Sequence, residues 1–315
     1  MDNEFRVSNG RKIFGWRGDI IDIIAVVATL FGLATSLGFG ARQIASGGNF
    51  LFGTDPGMSS QITIIIVITL IATISVVTGL KKGVKLLSRL NLIVAVIFLV
   101  FVFLLTDPVG ILNIFVESTG MYFQRFIELG SWSSSFTDNT WQGDWTIFYW
   151  AWWIAWSPFV GMFIARVSRG RTVREFVLGV LFVPTLITFI WMSTFGGAAL
   201  LLEIEQPGLL SGPIMADSST SLFVFLKQFP LTAVTSFIGI FMVSVFFVTS
   251  SDSGSLVIDS ITSGGKLNAP VGQRILWAFM EGAVAIALLV GGGLKTMQAA
   301  SISTGILFLI VLFIM

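Results

Sequence analysis

Eight apolar runs, most of them about 20 residues long, constrain the fold of this chain more than any other feature of its sequence. A helix of that length rises about 30 Å, which is the thickness of the hydrocarbon core of a bilayer. Backbone amides find no water there, so each run must satisfy its own hydrogen bonds as a helix. The sequence therefore predicts an all-α integral membrane protein with eight transmembrane helices. The predicted spans are 20–44, 60–80, 90–106, 146–166, 176–201, 232–251, 274–293 and 297–315.

The composition excludes several classes of protein. Hydrophobic residues make up 55% of the chain and charged residues 11%, whereas soluble domains carry about 25% charged residues. The 18 basic residues nearly balance the 17 acidic ones, so no basic surface for nucleic acid is expected. Cysteine and histidine are absent from the sequence, which removes disulfides, thiolate and imidazole metal ligands, and most nucleophile–base pairs. We therefore expect no enzyme, no resident cofactor and no nucleic-acid partner.

The distribution of basic residues predicts the orientation in the membrane. Fourteen of the 18 Lys and Arg lie in the N-terminal segment 1–19 and in alternate loops, and four lie in the other loops. Because basic loops stay on the cytoplasmic side, we expect a cytoplasmic N-terminus in the inner (plasma) membrane, with linkers 107–145 and 202–230 outside. Segment 1–19 contains no apolar stretch and is not predicted to be a cleavable signal peptide.

Residues 20–315 are predicted to form one membrane domain. Within its outer linker, residues 111–129 mix aromatic and charged side chains in the pattern of an amphipathic helix on the membrane surface. The last span stops at Met315 without a flanking basic residue. This favours a fragment of a longer protein over a minimal natural one.

Tryptophan is concentrated in the fourth span, where five of the ten in the chain fall within twelve residues. On a helix, five aromatic side chains would share one continuous face: Trp145, Tyr149, Trp152, Trp153 and Trp156. The stripe is about 16 Å long and reaches the bilayer midplane. An interfacial aromatic belt does not need that depth, and membrane helix contacts favour small residues. We favour a column of indole rings that binds a cation over either alternative.

The surroundings of the stripe narrow the choice of cation. No charged residue lies between Trp145 and Ala165. A primary ammonium would lose its hydrogen bonds to water there, whereas a quaternary ammonium has none to lose. Pro158 lacks an N–H and displaces the carbonyl of Ile154, which indicates either an opening beside a permeation path or an ordinary kink.

Polar residues occur inside two further spans. Residues 246–255 include five hydroxyls and one carboxylate, which suit a hard monovalent cation such as sodium or, alternatively, bond back to their own helix. Glu281 lies within the seventh span, where an ionisable group is either functional or a neutral carboxyl bonded to a neighbouring helix. On the residues alone we favour the structural alternative for both.

Residues 145–163 and 165–176 carry a resemblance to a known family, with supporting matches at 34–38, 195–197 and 249–254. They are similar to the betaine/choline/carnitine transporter family. The resemblance implies the leucine-transporter fold, with two inverted five-helix repeats, and assigns this chain to the fifth to twelfth of twelve helices. The implied parts are an incomplete first repeat at 20–106, a linker at 107–145 and a second repeat at 146–315.

The resemblance also implies the site residues. The positions that match the family's substrate-contacting tryptophans are Trp150, Trp152, Trp153 and Trp156, and Phe148 lies near the gate. The positions that match the sodium site of sodium-coupled members are Phe246, Thr249 and Ser250.

The function implied by the resemblance is secondary transport. The expected substrate is a quaternary ammonium solute (glycine betaine, choline or carnitine), taken up by alternating access, coupled to an ion and used for osmotic protection. The resemblance leaves the coupling open between sodium, a proton and sodium-independent exchange, because the family contains members of all three kinds. The expected partners are membrane lipids and two further copies in a homotrimer. The competing hypothesis is a truncated membrane fragment that does not transport and at most assembles with other subunits.

Overall fold

The computed structural model describes residues 15–78, 81–137, 140–265 and 270–314, without the side chains of 78, 81–84 and 166. Most of the predicted segment 1–19 thus lies outside the described residues. The regular secondary structure in the described ranges is helical, as the apolar runs predict. In chain order the helices are α1 (Trp16–Phe52), α2 (Met58–Thr78), α3 (Lys81–Leu105), α4 (Pro108–Gln124), α5 (Phe126–Ser131), α6 (Phe148–Val167), α7 (Val173–Glu205), α8 (Ser211–Ala216), α9 (Ser221–Leu226), α10 (Thr232–Thr262) and α11 (Val271–Ile314).

Seven of these helices are long and apolar enough to cross a membrane: α1, α2, α3, α6, α7, α10 and α11. The last one, α11, contains the two final predicted spans. Its helical dihedral angles are interrupted between these spans, at Gly292 and Gly293. Gly293 has φ of 64°, in the region that favours glycine, and allows a kink between the two halves. Seven helices therefore account for the eight predicted spans, since α11 contains two of them.

Helix α1 lies at the centre of the bundle and packs against α2, α6, α10 and α11. Its buried face consists mainly of alanine, glycine, serine and threonine, which let other helices approach closely. A β-carbon on Gly40 would clash with the ring of Phe247 on α10, and one on Gly254 would clash with Leu33. Small residues on both helices thus allow the close approach of α1 and α10.

Helices α6 and α11 approach each other backbone to backbone. A β-carbon on Gly305 of α11 would clash with the carbonyl oxygen of Ala151 on α6. Both residues are buried. This contact fixes the rotation of α6, and so determines which of its aromatic side chains face the bundle.

The amphipathic helix predicted over 111–129 is present as α4 and α5, which meet at Arg125. Asp107 caps the start of α4 by accepting a hydrogen bond from the backbone N–H of Val109 at 3.1 Å. Ile111 is buried in a cluster with Ala198 of α7. The remaining side chains of α4 are mostly exposed.

Candidate functional site

Helix α6 divides its aromatic residues between two sides. Phe148 is 4% exposed, and Trp152 and Trp156 are half-buried toward α1. Trp150 is 67% exposed and Trp153 is 59% exposed. The structure therefore groups Phe148, Trp152 and Trp156 against the bundle and leaves the other two predicted substrate residues on the open side of the helix.

The predicted stripe is continuous but straddles these two sides. The ring of Tyr149 contacts Trp152 edge-on, with centroids 6.3 Å apart, and contacts Trp153 at 6.0 Å. Tyr149 and Trp145 are themselves exposed. In the described residues the stripe thus forms an aromatic wall, with Trp152 and Trp156 packed on the bundle and Trp145, Tyr149 and Trp153 exposed.

Three aromatic rings stack where α6 meets α1. Phe39 stacks on Phe148 and on Trp152, with both centroid distances 5.7 Å. Phe148 and Trp152 stack on each other at 5.5 Å with their planes 14° apart. The three rings hold one another in place, as offset-stacked aromatic groups do.

The indole N–H of Trp152 anchors this stack. Its Nε1 donates to the carbonyl oxygen of Gly32 at 3.2 Å and to the Ser36 Oγ at 3.1 Å. The Trp156 ring lies against Gly32, where a β-carbon would come within 2.8 Å of the ring. The Nε1 of Trp156 is buried and has no hydrogen-bond partner.

Pro158 does not break α6, which continues through it to Val167. The carbonyl of Ile154, the group that a proline at 158 displaces, accepts a hydrogen bond from the Ser157 Oγ at 2.6 Å. The freed carbonyl is therefore already bonded. Of the two interpretations of Pro158, the structure agrees with a proline accommodated within a helix.

The predicted sodium residues lie on one side of α10, at positions i, i+3 and i+4. The Thr249 Oγ1 donates to the backbone oxygens of Val245 and Phe246, at 2.9 and 3.0 Å. The Phe246 side chain is 60% exposed. Two hydroxyls and a carbonyl on one helix could supply part of the oxygen shell of a sodium ion, with the remaining ligands coming from elsewhere.

Glu281 is hydrogen-bonded to a neighbouring helix, as one of its two interpretations from the sequence predicts. Its side chain is 2% exposed, and its Oε2 accepts a hydrogen bond from the Ser251 Oγ of α10 at 3.0 Å. The hydroxyl-rich segment 246–255 therefore divides between two tasks. Thr249 bonds back to its own helix, while Ser251 reaches across to α11.

Sequence reasoning missed an ion pair at the predicted outer end of α1. The Arg42 guanidinium lies 2.8 Å from the Asp217 carboxylate, and the hydroxyls of Ser46 and Ser219 are 2.6 Å apart. The signal that could have found it is that Arg42 is the sole charged residue in the outer half of the first span. Its partner could not be identified, since 175 residues separate the two.

The ion pair borders a cavity of 420 Å³. Polar lining comes from Asp55, Gln61 and the two members of the ion pair, and apolar lining comes from Leu289 and Met297. Burial acts to raise the pKa of Asp217, but hydrogen bonds from Ser219 and the charge of Arg42 outweigh it and lower that pKa below its ordinary value.

Comparison with known proteins identifies what the chain resembles. The family model described as "BCCT, betaine/carnitine/choline family transporter" matches residues 3–315. The chain is 51% identical over 312 residues to glycine betaine transporter 1 of Vibrio parahaemolyticus, covering 97% of this chain and 59% of that protein. It is 49% identical over 309 residues to a glycine betaine/proline/choline/ectoine transporter of the same organism, covering 97% and 55%.

A third relative comes from another organism. The chain is 46% identical over 300 residues to a glycine betaine transporter of Acinetobacter baylyi, covering 95% of this chain and 45% of that protein. The chain thus spans about half the length of the curated relatives that it matches.

Proposed function

Since this chain belongs to the betaine/carnitine/choline transporter family, we propose that it takes part in the uptake of a quaternary ammonium solute. The substrate is glycine betaine, choline or carnitine, moved by secondary, ion-coupled transport with alternating access and used for osmotic protection. The protein lies in the inner (plasma) membrane as a multi-pass chain with a cytoplasmic N-terminus. Membrane lipids and two further copies in a homotrimer are its partners.

The aromatic wall of α6 is the observation that carries this proposal. It presents the exposed rings of Trp150 and Trp153 on a stretch that contains no acidic or basic residue from Trp145 to Ala165. The negative face of an indole attracts a cation, and each contact is worth about 0.5–2 kcal/mol. A trimethylammonium group gives up no hydrogen bonds when it leaves water for such a surface.

The residues of the wall have separate roles in the proposed site. Trp150 and Trp153, on the open side of α6, would contact the trimethylammonium group with their ring faces, and Trp152 and Trp156 would hold the wall against α1. Phe148 is held in the stack with Phe39, which fixes the Trp152 ring in one orientation. The wall is therefore organised before the solute arrives, which reduces the entropy lost on binding.

Sodium is proposed as the coupling ion, held in part by Phe246, Thr249 and Ser250. When bound, it would supply positive charge that links solute movement to the sodium gradient. Thr249→Ala should then remove sodium-dependent solute binding. Ser303→Ala is the matched control, because the Ser303 hydroxyl also bonds back to its own helix, at Ala299 of α11.

Solute binding to the purified chain tests the proposal. The chain is reconstituted in lipid nanodiscs and titrated with radiolabelled glycine betaine, choline and carnitine in sodium buffer. Trp153→Leu should weaken binding about twofold to thirtyfold, the range that corresponds to one lost cation–π contact. Trp132→Leu is the control, since Trp132 is also exposed but pairs with Trp141 in the linker. Equal affinities in the two variants would refute the aromatic site.

A second candidate is a membrane subunit that does not transport by itself. The exposure of Trp150 and Trp153 favours it, because the described residues place no second aromatic wall opposite them. Proteoliposomes that contain only this chain distinguish the two. Uptake of labelled betaine above empty liposomes supports the transporter, and binding without uptake supports the subunit.

A further inference from the structure

Glu281 occupies an unusual position for a carboxyl group. It lies ten residues after Val271, the first residue of α11, and therefore about 15 Å along the axis of a helix that spans the membrane. Its side chain is 2% exposed within the helix bundle itself, so lipid is not needed to exclude water from it. Neither the aromatic wall nor the proposed sodium residues use this group.

The contacts of Glu281 come from hydroxyls on α10. The Ser251 Oγ donates to Oε2 of the carboxyl group at 3.0 Å. Ser255, one helical turn further along and fully buried, faces the same carboxyl group. The Ser255 Oγ makes no hydrogen bond of good geometry, so it is free to accept one from a carboxylic acid O–H.

The charged groups on the surrounding helices do not pair with Glu281. On α10, Asp259 pairs with Arg274 at 3.1 Å, and Asp252 bonds to Ser75 of α2. Helix α2 contains no ionisable residue, and α6 contains only Tyr149, which is exposed, and Arg166, whose side chain is not described.

The charges of α1 and the rest of α11 lie toward the two ends of the bundle. On α1 they are Arg17, Asp19, Asp22 and Arg42, and on α11 they are Arg274 and Lys295. Arg42 is engaged by Asp217. Across the described side chains, the carboxyl group of Glu281 thus meets hydroxyl groups and no cation.

A lone carboxylate in such surroundings carries a large desolvation cost, which a bound proton removes. The hydroxyl of Ser251 can stabilise either form, and Ser255 can accept the acid proton. We propose that Glu281, with Ser251 and Ser255, is a proton-binding site inside the helix bundle. This site goes beyond solute transport, because it binds and releases a proton whether or not a solute is present.

The proton has a structural consequence at this site. With the proton bound, the two serines and the carboxylic acid close a hydrogen-bonded bridge between α10 and α11. Without it, the charged carboxylate attracts water between these helices. Proton release would therefore loosen the contact on the segment of α10 that also contains Thr249 and Ser250.

Infrared spectroscopy tests the proposal on the full chain in lipid nanodiscs. Spectra are recorded from about pH 5 to about pH 9, a range that covers buried glutamates. We expect the C=O stretch of a protonated carboxylic acid at low pH, and its loss with gain of carboxylate bands as the pH rises. Glu281→Gln should abolish this change. Glu117→Gln, which removes an exposed carboxylate on α4, should leave it intact.

Substitution of the serines gives a second measurement that does not alter the acid itself. Ser251→Ala should shift the C=O band to higher frequency, because the hydroxyl that donates to it is lost, and Ser253→Ala on the same turn should not. The proposal is overturned if the Glu281→Gln difference spectrum shows only carboxylate bands at every pH, or an acid band that never titrates. These spectra are independent of betaine binding, so either proposal can fail alone.

Discussion

At the scale of single residues, periodicity predicts which side chains share a face but not which face is covered. The spacing of Trp152 and Trp153 places both in one stripe, yet the first is hydrogen-bonded to α1 and the second is exposed. The difference depends on Gly32 and Phe39, more than a hundred residues earlier in the chain. No local pattern contains that information.

Gly305 provides a residue-scale prediction about packing. Gly305→Ala places a methyl group against the carbonyl of Ala151, which is backbone and cannot rotate away. We expect a loss of about 1–3 kcal/mol in the free energy of unfolding, the usual cost of overpacking. Gly161→Ala on α6 is the control, because a β-carbon there meets nothing within 4 Å. Unfolding in a denaturant series measures both, and equal stabilities would contradict the contact.

At the scale of helices, apolar runs predict the membrane spans well because burial in lipid depends on composition alone. The residues at which helices end are predicted less well. Helix α1 continues to Phe52, beyond the predicted residue 44, because tertiary contacts support its last turns. Gly47 lies under Phe223 and Ile240, and Phe50 stacks on Phe223. Hydropathy does not record such contacts.

The ion pair between Arg42 and Asp217 leads to a prediction about pH. The pKa of Asp217 is lowered in the folded protein, so the carboxylate stabilises the linker at neutral pH. That contribution is lost as the pH falls from about 4, the ordinary value for aspartate, through the lowered value. Hydrogen exchange of residues 211–226 should therefore accelerate, relative to that of α1, over this range.

Two variants show whether the carboxylate of Asp217 causes that change. Asp217→Asn should already give fast exchange of residues 211–226 at neutral pH and no further acid step. Asp55→Asn, a second carboxyl group at the same cavity, should retain the step. An acid step of the same size in Asp217→Asn would show that another group is responsible.

At the scale of the whole molecule, the proposed orientation can be measured directly because these 315 residues contain no cysteine. A single introduced thiol is then the only target for a membrane-impermeant maleimide. We expect labelling of Ser135→Cys from outside intact cells, and labelling of Arg169→Cys only after the membrane is permeabilised. Both residues are exposed. The opposite pattern would reverse the orientation.

The fold class and the family follow from sequence because they rest on composition and on a distinctive run of aromatic residues. The arrangement around α6 does not, because it is set by helices distant in the chain. Glu281 has one feature that can be predicted from the sequence and one that cannot. Its burial is expected from its place in an apolar span, but its bond to Ser251 requires knowing how α10 and α11 are rotated.

The stack of Phe39, Phe148 and Trp152 gives the protein two optically distinct kinds of indole. Bromine atoms on acyl chains quench only fluorophores that they can touch, so they should spare Trp152, whose ring is covered by Phe39 and Phe148. In a variant that keeps Trp152 as its one tryptophan, the emission that survives in brominated lipid then measures how closely α6 packs on α1.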